Sequence, residues 1–272
     1  MSSAVEQAIA EIRTSKPLAK YAKRILEHVR PHIRFTPRKG KPADNKPGAS
    51  RLGGEPDLPA GTAWPIGPGF DGDAPMDFIA QIDLDAVARR DVDQLLPRSG
   101  VLAFFVAQNY DTGVVIHGDQ DKVTRVDDPR HRSSKPLKWA GFDVSADMTI
   151  PPPWSAFVSS KSRSATMWNS RTGKRGKGKT LIELPAEVHE VYVDIYNRWL
   201  EAVGHAEHGM FGYERMMEAV QQANDLVLLR IDHDEHIPYD FVEVVSIYWF
   251  LGEKDLAARA FDRAEVFCGS TI

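Results

Sequence analysis

Cysteine is almost missing from this chain: Cys268 stands alone among 272 residues. One thiol can neither close an internal disulfide nor supply the thiolates of a structural zinc site, so packing alone must hold the fold, and a reducing, cytoplasmic compartment is the expected setting. Long apolar runs are missing too. No stretch approaches the roughly 18 residues of a membrane-spanning helix. Residues 1–16 mix Glu and Arg with Ala and Ile and lack the apolar centre of a signal peptide. Strong charge bias is absent as well, since 34 Lys and Arg against 38 Asp and Glu leave a net charge of −4. That balance gives no global pull toward nucleic acid or an anionic membrane, and neither is expected as a partner.

What remains is a chain long enough, at 42% hydrophobic residues, for one large core or two interlocked ones. Its most constrained stretch begins Ser50-Arg51-Leu52-Gly53-Gly54-Glu55-Pro56-Asp57-Leu58-Pro59 and continues through Trp64-Pro65. It then reads Pro75-Met76-Asp77-Phe78-Ile79-Ala80-Gln81-Ile82-Asp83-Leu84 and ends Gly100-Val101-Leu102-Ala103-Phe104-Phe105. The glycine pair and the prolines restrict the backbone too tightly for a flexible linker.

Upstream, helices are expected over residues 3–15 and 17–34. Leu18, Tyr21, Ile25, Leu26 and Val29 recur at helical spacing in the second, Pro17 suits its first turn and Pro31 marks its end. Residues 36–49 are polar, Pro-rich and cationic, as a surface loop would be. Downstream, the spacing predicts a strand over 78–84, a short helix over 85–95, a doubly buried strand over 101–108 and two short strands at 114–117 and 122–126. Residues 150–154 are extended by their prolines, and 159–179 form a basic, Gly- and Ser-rich loop. Pro185 opens a helix to about Val203. A polar helix is expected over 210–224, strands over 226–232 and 242–251, a helix over 253–263 and a short strand at 266–267. Strands joined by tight turns imply an α+β fold of mainly antiparallel sheet. Four segments (1–49, 50–126, 127–184 and 185–268) make up one compact domain.

An internal echo is visible. Ala80-Gln81-Ile82-Asp83-Leu84-Asp85 leads to Ala103-Phe104-Phe105-Val106, while Arg230-Ile231-Asp232-His233-Asp234 leads to Tyr248-Trp249-Phe250-Leu251. The repeated order is strand, Asp-x-Asp turn, excursion, aromatic strand. It predicts two related β-rich halves facing one cleft, where Asp83 and Asp232 either approach closely enough for one carboxyl pKa to rise or each cap a turn or the following helix.

Other chemistry-bearing patterns are weaker. Residues 173–180 (Gly-Lys-Arg-Gly-Lys-Gly-Lys-Thr) match the phosphate-cradling P-loop pattern, which has to follow a buried strand and open a helix. Here polar residues precede it and Pro185 follows, so it reads as a solvated basic loop, and no cofactor is expected. His205/His208 and His233/His236 have metal-ligand spacing. Asp-His-Asp-Glu-His-Ile-Pro nevertheless reads as an exposed turn, and no metal is expected. Arg51 either clamps a carboxylate or phosphate or pairs with Asp83 or Asp232.

These residues resemble the YwqG-like family, a bacterial domain of unknown function. Its pattern is Ser-Arg-Phe/Leu-Gly-Gly-x-Pro-x-Leu-Pro, Trp-Pro, then Pro-Met-x-Phe-Ile-Ala-Gln-Ile-Asp/Asn-Leu. The second half adds His205…Gly212-Tyr213, Leu228-Leu229-Arg230-Ile231-Asp232-His233-Asp234 and an Asp255-Leu256…Arg263 ending. Two positions depart from the pattern: Arg230 stands where the family has Gln, and Pro238-Tyr239-Asp240 replaces Trp-Gly-Asp. The resemblance implies no established reaction. It implies an antitoxin-like or immunity role, since relatives look like components of bacterial toxin neighbourhoods. The expectation is a non-catalytic protein that binds another protein, such as a toxin, or a small ligand through a cleft lined by Arg51, Gln81, Asp83, His205, Tyr213, Asp232 and Asp234. The alternative is a hydrolase or transferase using the paired aspartates; no catalytic residue is assigned.

Overall fold

The computed structural model describes residues 3–130, 137–155, 157–160, 166–169, 174–177, 181–204, 208–214, 225–235 and 244–270. Helices α1 (Ser3–Thr14) and α2 (Ala22–Leu26) lead into β1 (Arg30–Lys39). Next come β2 (Arg51–Gly53), β3 (Asp57–Pro59), the hairpin of β4 (Ile66–Gly69) and β5 (Gly72–Pro75), and β6 (Asp77–Asp83). A one-turn helix α3 (Leu84–Ala88) precedes β7 (Val101–Val106), β8 (Gly113–Gly118) and β9 (Val123–Arg125). The long β10 (Trp139–Thr149) is followed by β11 (Val158–Ser160), β12 (Thr166–Asn169), β13 (Lys174–Lys177) and β14 (Ile182–Leu184). Helix α4 (Ala186–Val203), β15 (His208–Phe211), β16 (Asp225–Asp232), β17 (Val244–Gly252), α5 (Glu253–Ala257) and β18 (Glu265–Ser270) complete the order.

Ten strands form one sheet in the order β18-β17-β16-β15-β1-β10-β2-β6-β7-β8, every neighbouring pair antiparallel. The expected α+β architecture with mainly antiparallel sheet is what the chain adopts. Outward from the β1–β10 pair the order reads alike on both sides: a short strand (β2 or β15), two long ones, then an edge strand. One hydrogen bond repeats across it. The Asp83 N–H donates to Ser50 Oγ at 2.8 Å, just before β2, and the Asp232 N–H donates to His208 Nδ1 at 3.2 Å, at the start of β15.

The sheet curls until its two edges nearly meet. Phe104 on β7 packs edge-on against Trp249 on β17, with ring centroids 5.4 Å apart. A Cβ at Gly113 on β8 would fall 2.0 Å from Val266 Cγ2 on β18, so only glycine permits this approach. Inside the curl one continuous apolar cluster joins Leu52, Ile82 and Phe104 to Leu229, Ile231 and Trp249. Outside, α1 and α4 lay Val5, Ala8 and Ile12 and Val188, Tyr192, Ile195 and Trp199 over a second cluster shared with the parallel pair β11–β14. Leu58, Trp64 and Phe78 build a third around β3, which pairs β9.

Three expectations are corrected. The helix over 17–34 ends at Leu26, and β1, expected as helix end and loop, is the central strand. Its prolines fit because pairing with β15 covers only His32 to Phe35, leaving Pro31 and Pro37 outside it. The helix over 210–224 begins instead as strand, because Met210 and Phe211 belong to β15 and fill the interior; 215–224 lie outside the described residues. The basic loop expected over 159–179 carries strand instead: Val158–Ser160 pair with Ile182–Leu184, and Thr166–Asn169 pair antiparallel with Lys174–Lys177, since ladder hydrogen bonds come from the backbone whatever the side-chain charge.

Candidate functional site

Three separate polar constellations take up the residues singled out above. The first surrounds Arg51, which is fully buried. Gly53 and Gly54 (φ 66° and 76°) turn the chain back after β2, bringing the Glu55 carbonyl onto the Arg51 guanidinium. Arg51 also donates to Asp57 Oδ2 at 3.0 Å and to the Ala49 carbonyl at 3.3 Å. Gln81 amide nitrogen donates to the same Asp57 oxygen at 2.8 Å, and its amide oxygen accepts the Asp57 N–H at 2.7 Å. Arg125 on β9 closes the other side with a 2.7 Å bond to Asp57 Oδ1. Arg51 and Gln81 are therefore spent within the protein: they brace the 45–58 loop against β6 and β9. Asp57 and Arg125 were missed in the sequence because the pair is joined only by the β3–β9 contact.

Burial alone would push the Asp57 carboxyl up, but the bonds from Arg125, Gln81 and the Gly48 N–H and the charge of Arg51 together hold it below its ordinary value. Its stabilising contribution is thus complete above the unfolded value near pH ~4 and is lost as pH falls through the lowered folded value. Asp83 and Asp91 are raised by burial and act oppositely, costing stability as pH climbs through their folded values. In acid titrations followed by near-ultraviolet circular dichroism, Asp57→Asn should flatten the loss of stability below pH ~4. An unchanged slope would remove Asp57 from this role.

The second constellation sits on β15, β16 and β17. Arg230 donates twice to Asp232, at 2.7 and 2.6 Å, and the Ser246 hydroxyl donates to Asp232 Oδ1 at 2.7 Å. His208 is buried, which lowers its pKa. Because Nδ1 accepts the Asp232 N–H, the neutral ring carries its proton on Nε2, 3.7 Å from Asp234 Oδ2. The third holds Tyr213, whose hydroxyl donates to the His28 carbonyl while its ring and that of Phe157 flank the Arg30 guanidinium at 4.8 and 4.4 Å. His205 and His236 lie outside the described residues. Among the described residues no group of three or more His, Cys, Asp or Glu could hold a metal ion.

The expected cleft between Asp83 and Asp232 does not form. Five antiparallel pairings (β6–β2, β2–β10, β10–β1, β1–β15, β15–β16) separate their strands. An odd number of reversals makes β6 and β16 run in opposite directions, so their C-terminal aspartates lie on opposite rims of the sheet. Asp83 caps α3 by accepting the Asp85 N–H at 3.0 Å, and Asp232 is locked by Arg230. No carboxylate pair for acid–base work results.

A hollow that was not foreseen opens on the Asp83 rim. It is a cavity of about 640 Å³ between the start of β1, the end of β15, the start of β16, helix α5 and the 90–97 loop after α3. Ile33, Phe211, Leu226 and Leu256 give it an apolar floor, and Arg30, Arg90 and Arg259 lie around it. Four non-glycine described residues have left-handed backbone, and three of them, Gln94 (φ 54°), Phe211 (65°) and Arg259 (58°), line this cavity. Arg259 closes α5 in a Schellman turn, its N–H donating to the Leu256 carbonyl at 2.9 Å and that of Ala260 to the Asp255 carbonyl at 2.8 Å, so its conformation is an ordinary helix ending. At Gln94 and Phe211 such a conformation costs about 1–3 kcal/mol each, and strain of this kind clusters at functional sites.

Residues 50–268 match the family model described as "Domain of unknown function (DUF1963)". The chain belongs to that family. No curated protein matches it. The DUF1963 match contains the 90–97 loop, β15, β16 and α5, hence most of the cavity wall; β1, which supplies Arg30, Pro31 and Ile33, lies ahead of it.

Proposed function

We propose that this DUF1963 protein is a non-catalytic ligand-binding protein whose site is the mouth of the curled sheet. The observation that carries this reading is strained backbone at Gln94 and Phe211 in the wall of one cavity. Left-handed Phe211 is the most telling, since a bulky side chain gains nothing locally from that conformation. A volume of about 640 Å³ with an apolar floor and a few charged groups has the make-up of a small-molecule site, and barrel mouths are a usual place for one. Ten strands also enclose a wider interior than the roughly eight that side chains alone fill, which favours a hollow at one end.

A YwqG-like bacterial protein of the cytoplasm with an immunity-type role fits such a site. A single, partly buried Cys268, its thiol pushed up to about 12 by burial, suits a reducing compartment. A toxin partner would have to compete for the same rim.

The test uses N-phenyl-1-naphthylamine, a neutral apolar fluorophore. The native protein is expected to enhance its emission saturably, at one site. Ala257→Trp, at an exposed position on the cavity wall, is expected to weaken binding by at least about tenfold with an unchanged melting temperature. Non-saturable enhancement, or full binding in the variant, would overturn the assignment.

A further inference from the structure

Strands β15 and β16 are joined by a shorter ladder than any other neighbours in the ten-stranded sheet. It has a single register pair, Gly209 with Arg230. On one side β15 has four pairs with β1, and on the other β16 has seven with β17. Both outer attachments are firm. A Cβ at Gly209 would fall 2.1 Å from the Ile33 carbonyl oxygen, so β15 lies flat against β1. Arg230, Asp232 and Ser246 form one buried hydrogen-bonded group that ties β16 to β17. The weakest line in the sheet therefore runs between β15 and β16.

Beyond the Gly209–Arg230 pair a side chain takes over from the ladder. The Asp232 N–H donates to Nδ1 of His208, which is 2% exposed. An acceptor nitrogen of this kind exists only on the neutral ring, because the imidazolium carries a proton on both nitrogens. A proton on Nδ1 would set donor against donor and take from the Asp232 N–H its acceptor. The matching bond on the far side of the sheet has no such weakness, since the Asp83 N–H donates to the Ser50 hydroxyl, which does not titrate.

The surroundings of His208 divide over its charge. On and just past β16, Asp232 and Asp234 favour the imidazolium, Asp234 Oδ2 lying 3.7 Å from Nε2, and Arg230 opposes it. From β1, Phe35 stands opposite His208, His32 lies against Gly209, and Arg34 is paired with Asp147 at 3.6 Å. Burial outweighs the two carboxylates and holds the ring below its ordinary value in the closed sheet. The contribution of the bond is therefore whole above the unfolded value of about 6.5, and is lost as pH falls below it toward the lowered folded value.

We propose that His208 is an acid-released latch between β15 and β16. A proton from solvent takes the Nδ1 lone pair, the Asp232 N–H is released, and the imidazolium turns toward Asp234. Strand β16 then parts from β15 at the Asp232 rim, while β1–β15 and β16–β17 stay paired. The latch does not depend on the cavity, which opens on the opposite rim.

Amide hydrogen exchange of the full chain, resolved by NMR and corrected for its intrinsic pH dependence, reads the latch directly. Between about pH 7.5 and about pH 5, protection of the Asp232 amide is expected to fall at least about tenfold, an open-state ring titrating at about 6.5 allowing up to about thirtyfold. The Asp83 amide and the β17–β18 ladder should keep their protection. His208→Gln, whose side-chain oxygen accepts a hydrogen bond and does not titrate, should abolish the loss. Unchanged protection at Asp232, or an equal loss in the variant, would overturn the latch. Should the variant not fold, the ring-nitrogen shifts of native His208 decide. A proton already on Nδ1 at neutral pH would overturn the proposal; a bare Nδ1, with the acid loss present at Asp232 and absent at Asp83, would uphold it.

Discussion

Asp57→Ala is expected to cost about 3–5 kcal/mol, because it strands the fully buried Arg51 guanidinium without its counter-charge. For a chain of this size that is a fall of about 10 °C in melting temperature. The magnitude follows from what stays behind. Arg51 keeps the Glu55 and Ala49 carbonyls, but Gln81 loses one of the two acceptors of its amide nitrogen, keeping only the Ala49 carbonyl, and Arg125 loses its inward partner. Arg51→Met in the Asp57→Ala background should recover part of the loss, since removing both charges is far cheaper than removing one. Purely additive single and double variants in urea denaturation would show that the two side chains are not coupled in the way the geometry requires. The same measurement bears on function: if Arg51 were an anion clamp, its removal would affect ligand binding more than stability.

The second large effect is expected at the closure of the sheet. Trp249 is fully buried where β17 faces β7, and Trp249→Ala should cost about 3–5 kcal/mol through lost burial and the cavity left behind. Trp249→Phe should cost much less, because the indole N–H is buried without a hydrogen-bond partner among the described residues. The decisive quantity is the coupling to Phe104 on the other half of the sheet. A double-mutant cycle with Phe104→Leu should return about 0.5–1.5 kcal/mol beyond additivity for the edge-on ring pair. Zero coupling would mean that the two edges do not approach, and the mouth would then lack its walls.

Much of the sheet was legible because its long strands declare themselves locally. Residues 101–106 and 226–229 are continuous apolar runs, and helix α4 follows Pro185 with Val188, Tyr192, Ile195 and Trp199 on one face. Strand β1 was not legible. Arg30, Pro31, Arg34, Pro37, Arg38 and Lys39 carry no strand pattern, and the segment is extended only because β10 pairs with it along its whole length. The likeness of the residues around Asp83 and Asp232 could be read from the sequence. Their placement on opposite rims could not, because the direction of a strand depends on how many partners stand between. The cavity escaped for a related reason: Arg90, Arg259 and Phe211 are far apart in sequence, and left-handed backbone at Phe211 leaves no compositional trace.

The position of β1 also bears on how the molecule is made. During synthesis it emerges before every strand it will join, and it stays solitary until Trp139 and the residues after it have followed; β15 arrives later still. A bare apolar ribbon held in that state would invite the wrong neighbours. Its arginines, its lysine and its two prolines keep nascent chains from zipping together, so the strand that is hardest to recognise is also the one best protected while it waits.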